Sequence, residues 1–277
     1  MLARRYQQLH WSCVHIPLVA VGLLAGNAAL LQLALSLPLV VLEAVGVWAV
    51  YVLDRAWLAG DEDWVNRPVR AAWWRQHRQV AGVLAVVAIA LGGWAAAQVR
   101  PVTLAASAGL GLVGLLYTLP GLRLKQWGLL KPLLIAGTWS LGSTLLPVLE
   151  AGHALDQTVW LLLLYRLLWL LPNALLADWP DRAGDRWAGI RTPAVRWSYA
   201  TLRRASLVLL VGALGAGMLL VGRIRFALVV GDGLGVVLTG LTIGLARTDI
   251  TEHQLFLLDL LVGWPFLTAL ARGWMGL

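Results

Sequence analysis

Nine stretches of roughly twenty mostly apolar residues, separated for the most part by short polar loops, leave this chain few ways to fold. They lie near 14–35, 37–58, 79–98, 102–119, 130–149, 157–177, 205–222, 226–246 and 254–271. With 60% hydrophobic and 13% charged residues and a mean hydropathy of +0.75, no soluble core of this size could hide the apolar surface. Backbone amides in lipid must be satisfied within each segment, so the runs read as helices. The expected fold is all-α, an integral membrane bundle of about nine transmembrane helices. No Ser/Pro/Gly-rich linker divides residues 1–277, which read as one domain. The first run is too long for a cleaved leader and lacks a small-residue cleavage site, so it reads as a mature helix.

The net charge of +8 does not call for nucleic acid, because the basic residues follow the membrane. An inside N-terminus places 17 of them on the cytoplasmic side: Arg4, Arg5, Arg55, Arg67, Arg70, Arg75, Arg78, Arg123, Lys125, Lys131, Arg182, Arg186, Arg191, Arg196, Arg203, Arg204 and Arg247. Only Arg100, Arg223, Arg225 and Arg272 fall outside, and Arg166 lies within a span. The positive-inside rule therefore predicts a cytoplasmic N-terminus and an outer C-terminus. Trp57, Trp64, Trp73, Trp74 and Trp127 are placed to mark interfaces. Cys13 is the sole cysteine, which excludes an intrachain disulfide or a multi-cysteine metal site, and the five scattered histidines lack ligand spacing.

Two cytoplasmic loops, 59–78 and 178–204, are longer than the others, and each follows a span ending near an aspartate. The second reads Asp178-Trp-Pro-Asp181-Arg182-Ala-Gly-Asp185, then Gly189-Ile-Arg-Thr192-Pro193. On one helix, Asp178, Asp181 and Asp185 would share a narrow stripe. Carboxylates that close repel, and a divalent cation resolves the conflict; magnesium suits oxygen ligands that leave room for water and a substrate phosphate. Pro180 suits the first turn of a new helix, so the span is expected to end near Asp178. The plainer reading, a solvated cluster neutralising Arg182, Arg186 and Arg191, is the weaker one here. For the first loop the two readings are nearly even. Asp54 and Asp61 share a face only if the helix runs through Gly60. A third segment, Tyr117-Thr-Leu-Pro-Gly-Leu-Arg123-Leu-Lys125 followed by Lys131, reads either as a positive-inside loop or as a phosphate clamp.

Taken together these segments resemble the UbiA family of intramembrane prenyltransferases. The likeness rests on the Asp54 segment with Asn66-Arg67-Pro68, on Tyr117 to Lys131, on the Asp178–Asp185 motif and on the Gly189-Ile-Arg-Thr192 turn. The first motif departs from the family pattern: Val50, Tyr51 and Leu58 stand where an Asn-Asp pair and a later aspartate are usual, and only Asp54 matches unless Asp61 substitutes one turn on. The resemblance implies a helical bundle around a cavity open to lipid. It implies transfer of a polyprenyl group from its diphosphate to a lipophilic, often aromatic, acceptor with Mg2+ assistance, in a bacterial inner membrane with the motif loops facing the cytoplasm. It implies metal ligation by Asp54, Asp61, Asp178, Asp181 and Asp185, and diphosphate binding by Arg67, Tyr117, Arg123, Lys125, Lys131 and Arg182. Trp139, Tyr165 and Trp169 are candidates for shielding the allylic cation.

The competing reading is a non-catalytic protein of the same fold that holds a lipid or serves a membrane complex. A transporter is weaker, since no pair of broken helices is obvious. Two charges inside the hydrocarbon, Glu43 and Arg166, need partners. They lie 11 and 12 residues before Asp54 and Asp178, ~16 and ~18 Å of helix, and are expected either to pair with each other or to be met separately, Glu43 by protonation and Arg166 by carbonyls freed at Pro172.

Overall fold

The structure is a computed structural model that describes residues 11–119 and 128–274. Its described residues are helical apart from turns, loops and one isolated bridge between Val221 and Ile224. The long helices are α1 (His15–Leu30), α2 (Leu37–Ala56), α5 (Arg78–Ala96), α6 (Pro101–Thr118), α7 (Leu130–Ala151), α8 (Gln157–Ala177), α11 (Tyr199–Leu220) and α12 (Phe226–Leu245). The last span is split into α13 (Glu252–Val262) and α14 (Pro265–Trp274). Short helices fill the two longer loops: α3 (Asp61–Asn66) and α4 (Pro68–Gln76) in the first, α9 (Arg182–Trp187) and α10 (Pro193–Arg196) in the second. Eight segments of the described residues, the last running Glu252–Gly273, are long and apolar enough to cross a membrane, and α1 is a shorter apolar helix. That agrees with the expected count of about nine.

Several boundaries are set by local chemistry that hydropathy does not register. Ser198 accepts a hydrogen bond from Thr201 N at 3.2 Å and starts α11 at Tyr199, so the second loop is shorter than 178–204. Arg203 then lies on a helix and donates to the Ile243 and Gly244 carbonyls at 3.2 and 2.8 Å, capping the end of α12. Near Pro265, which has no N–H to give, the last span breaks, and the Trp264 indole donates to Gly231 O at 2.9 Å. Gly60 ends any continuation of α2, whose helix stops at Ala56, and it precedes α3.

The bundle packs through small residues, as helices in lipid must. A Cβ on Gly26 would come within 2.1 Å of Pro265, and one on Gly235 within 2.5 Å of Trp264, so α1 meets the start of α14, and α12 meets the break before it, at glycine. The exposed large side chains of α5 and α6, among them Val83, Val86, Ile89, Leu104 and Leu112, form a lipid-facing surface.

At the centre lies a polar knot. Arg166 on α8 is fully buried and grips Asp232 on α12 with two bonds, 2.7 and 2.9 Å, while its Nε donates to Asn27 Oδ1 on α1 at 2.5 Å. Asn27 Nδ2 donates to Ser143 and Thr144 on α7, both at 3.0 Å, and Tyr165 donates to Asp232 at 2.8 Å. The partner of Arg166 is thus Asp232, not Glu43, and its donors meet side chains rather than carbonyls freed at Pro172. Glu43 stands instead against α7, where a Cβ on Gly142 would lie 3.5 Å from its carboxylate. Depth alone could not pair the charges: α8 packs against α12 at this level, and Asp232 sits in an apolar run that masked it. Removing one partner leaves an uncompensated buried charge. Asp232→Ala is therefore expected to cost about 3–5 kcal/mol. The Arg166→Met, Asp232→Leu double variant should be more stable than the sum of the singles predicts, as read by unfolding in detergent; strict additivity would show that the two do not act as a pair.

Candidate functional site

The ends of α2, α7 and α8 and the two motif loops meet around a cavity of about 330 Å³, within the range of small-molecule pockets. Its polar end is built by a corner in the chain. Helix α8 stops at Ala177, Asp178 caps it, and residues 178–181 turn so that Asp181 precedes α9, which carries Asp185. The break near Asp178 is as expected, but the three aspartates do not share one helical stripe. All three line the cavity, together with Asp54 from the last turn of α2.

Cations of the chain hold these carboxylates apart. Lys131, at the start of α7, places Nζ 2.5 Å from Asp178 Oδ1 and 3.9 Å from Asp185 Oδ2. Arg67 donates to Asp181 at 2.8 Å and also to Glu252 at the start of α13, clamping both loops to the last span. Burial of Arg67 works against its charge, but those two carboxylates hold its pKa above the usual value. Asn66 accepts a bond from Gly184 N at 2.6 Å, and a Cβ on Gly184 would meet the Asn66 amide at 2.6 Å, so a side chain here would push that amide off its bond. Thr192 reaches Asp185 at 3.4 Å. The Asn66-Arg67 pair and the Gly189–Thr192 turn therefore support the second motif physically.

Burial raises Asp178 despite Lys131, and it raises Asp185 to about 6, with Asp178 and Asp181 adding to the rise and Lys131 and Thr192 opposing it. Desolvation, aided by nearby Arg55, lowers Arg70 to about 10, and Arg70 pairs with Asp63 at 3.1 Å. Among the described residues no three acidic, histidine or cysteine groups already stand as a metal cage. Asp178 Oδ2 is nonetheless buried without a hydrogen-bond partner, beside other oxygen donors. That orphaned acceptor suits a hard cation.

The structure sorts the remaining expected residues. Tyr117, Lys131 and Arg67 line the cavity. Arg123 and Lys125 lie outside the described residues. Arg182 does not join the wall: it stacks on Trp179 at 4.1 Å and donates to the Trp179 carbonyl at 2.6 Å. Asp61 is exposed, because the new helix beginning after Gly60 turns Glu62 and Asp63 to the cavity instead. Of the three aromatics only Trp139 lines it, edge-on to Tyr51 with ring centres 6.4 Å apart. Tyr165 and Trp169 are spent on the buried knot, each with its ring 5.0 Å from the Arg166 guanidinium. Sequence reading missed Asn66, Arg70, Asn173 and Asp259 as wall residues. For Asp259 the available signal was a carboxylate inside the last span.

With Ile135, Leu134, Val19, Leu170 and Val262 below and charge above, the cavity is polar at the motif end and apolar within. Comparisons with known proteins bear on the family and the fold. A homogentisate phytyltransferase of Synechocystis sp. is 27% identical over 191 residues, 60% of this chain; the match spans about 59% of that protein's length. The fold superposes on the apo structure of a UbiA homologue from Aeropyrum pernix (TM-score 0.67, 16% identity, 94% of this chain and 98% of that one). It also superposes on a UbiA homologue from Archaeoglobus fulgidus bound to GPP and Mg2+ (TM-score 0.68, 13% identity, 96% of each chain). The model of the UbiA prenyltransferase family matches residues 16–261, nearly the whole bundle and both motif loops, and the chain belongs to that family.

Proposed function

We propose that this protein transfers a prenyl group from its diphosphate to a lipophilic acceptor within the bilayer, with Mg2+ as cofactor. The observation that carries the reading is the cavity itself, whose charged end and apolar depth match an amphiphile with a diphosphate head and a hydrocarbon tail. Asp54, Asp178, Asp181 and Asp185 supply oxygens for the metal, and the orphaned Asp178 Oδ2 fits that role. When bound, Mg2+ neutralises the charge of the leaving diphosphate. Lys131, Arg67 and Arg70 line the same end and offer donors to the phosphate oxygens. In the depth, the rings of Trp139 and Tyr51 face an allylic cation, each worth ~0.5–2 kcal/mol, while the hydrocarbon walls keep water away. An aromatic acceptor fits the resemblance to a phytyltransferase acting on homogentisate.

The departures at Tyr51 and Leu58 favour a second reading, a protein of this family that binds a prenyl lipid without turning it over. Binding and turnover separate the two. Geranyl diphosphate is expected to bind the purified protein at least ~10-fold more tightly with Mg2+ than without, and Asp181→Asn is expected to abolish that gain. Unchanged binding in the variant would reduce the aspartates to a solvated charge cluster. Release of diphosphate in the presence of an acceptor identifies the enzyme; its absence with binding intact identifies the holder.

We also assign both motif loops to the cytoplasmic side and treat the chain as one domain in a bacterial inner membrane, on the strength of the basic asymmetry. Arg100 and Arg223 fit this orientation. They bond Leu149 O and Gln157, at the ends of α7 and α8 remote from the motifs. Cys13 is buried, so single cysteines introduced at 61 or 188 give a clean readout. They should react with impermeant reagent only from the cytoplasm, and labelling from outside would reverse the orientation.

A further inference from the structure

Charge is spread unevenly around the polar end of the cavity. On the second-motif side, Asp178, Asp181 and Asp185 outnumber the cations set among them, Lys131 and Arg67. The first-motif side is built differently. Val50 packs on α6, where a Cβ on Gly114 would lie 3.0 Å from it. Tyr51 turns its ring edge-on to Trp139, and Leu58 lies past the end of α2 at Ala56 and outside the cavity wall. Asp54 is thus the one carboxylate that α2 brings to the wall. The loop that follows does not make up the number. Asp63 is bonded to Arg70 at 3.1 Å, and the Glu62 carboxylate folds back on its own chain, where a Cβ on Gly60 would run into it. Arg55, next to Asp54, lines the same wall with its guanidinium 5.9 Å from the centre of the Tyr51 ring. Burial and the charge of Arg55 together lower Arg70 to about 10, so Arg70 is still a cation at neutral pH but short of counter-charge. Two neighbouring guanidiniums repel a divalent cation and attract an anion.

We infer that the site takes a single Mg2+, on the second-motif side, and that Arg55 and Arg70 stand in for a second metal by meeting the diphosphate with fixed positive charge. This rests on the prenyl-transfer reading for the identity of the anion. The two sides differ in what they can hold. Asp178 Oδ2 is buried without a hydrogen-bond partner and suits a hard cation, whereas the first-motif side offers Asp54 beside two arginines, a donor set that does not fit another metal. Guanidinium forks match phosphate oxygens in shape as well as charge. The Tyr51 ring gives Arg55 a face to rest on, so the residue that replaces a carboxylate supports the cation that replaces its metal. Arginine keeps its charge without any cofactor, so part of the affinity for the diphosphate must survive removal of the metal.

The test uses the full chain in lipid nanodiscs, with Mn2+ as the metal probe and geranyl thiolodiphosphate as the anion. Electron paramagnetic resonance counts the Mn2+ held by the ligand-bound protein. One ion per chain is expected, with the spectrum of an isolated centre; two ions per chain, or the spectrum of a coupled pair, would overturn the inference. A second arm removes the metal with EDTA. Wild type should still bind the thiolodiphosphate, and Arg55→Gln and Arg70→Gln should each weaken that metal-free binding by about tenfold or more, the scale of a hydrogen bond between charged groups. The Mn2+ count should stay at one in both. No metal-free binding by wild type, or metal-free binding unchanged in the variants, would contradict the role given to the arginines. Should one variant fail to fold, the other and the wild-type count still decide. Two Mn2+ ions beside bound ligand overturn this inference alone, whereas failure of the thiolodiphosphate to bind wild type even with Mn2+ removes the prenyl-transfer reading and this inference with it.

Discussion

The ion pair between Arg166 and Asp232 is the most demanding interaction in this molecule. A lone guanidinium in hydrocarbon is costly, so the sequence can keep Arg166 only if every direction of its fork is met. It is met by a bidentate carboxylate, by Asn27 and by two aromatic rings, and Asn27 passes the connection on to Ser143 and Thr144. Four helices, α1, α7, α8 and α12, are thereby fixed in azimuth and depth by one knot. Apolar packing in lipid has weak directional preference, whereas this set of bonds has one solution. Three of those helices then deliver the cavity: α1 brings Val19, α7 brings Lys131 and Trp139, and α8 brings Asn173 and Asp178.

Above the knot, the site is a problem of balanced charge. The aspartates of the second motif do not repel one another into solvent, because Lys131 and Arg67 stand among them, and Arg67 extends the balance to Glu252. The balance remains incomplete at Asp178, whose second oxygen is buried without a donor, and at Asp185, which burial lifts to about 6. On the proposed reading, a metal cation for the carboxylates and a diphosphate for the basic groups would enter as a pair of opposite charges and leave the site's net charge little changed. The corner at Asp178 to Asp181 is what turns these oxygens toward the cavity, and Asn66 against Gly184 holds that corner to the first loop.

Much of this was legible in the sequence, because hydropathy reports directly on what can cross lipid: the nine apolar runs and most of their ends, with the split at Pro265 an exception. The second motif, Lys131 and the turn at Asp178 were legible too, since Pro180 and clustered carboxylates carry strong local meaning. What escaped were choices made by helix phase and by neighbours distant in sequence. Gly60 resets the phase, so that Asp63 and not Asp61 faces inward; Arg182 prefers the adjacent Trp179 to the cavity; and Ser198 starts a helix six residues before the hydropathy rises. The need of Arg166 for a partner could be read from its position, yet the choice of Asp232 over Glu43 depends on which helices touch, which a single sequence does not encode in any local pattern.

The prenyl-transfer reading requires one cavity to take a prenyl diphosphate head-first against the aspartate corner. A structure of the protein with geranyl thiolodiphosphate and Mn2+, in which anomalous scattering marks the metal, tests it most directly. The metal is expected beside the motif aspartates, the diphosphate within reach of Lys131 and Arg67, and the hydrocarbon tail running past Trp139 toward Leu170. Metal and ligand bound elsewhere, with Lys131 still paired to Asp178 and the cavity filled by lipid alone, would contradict it.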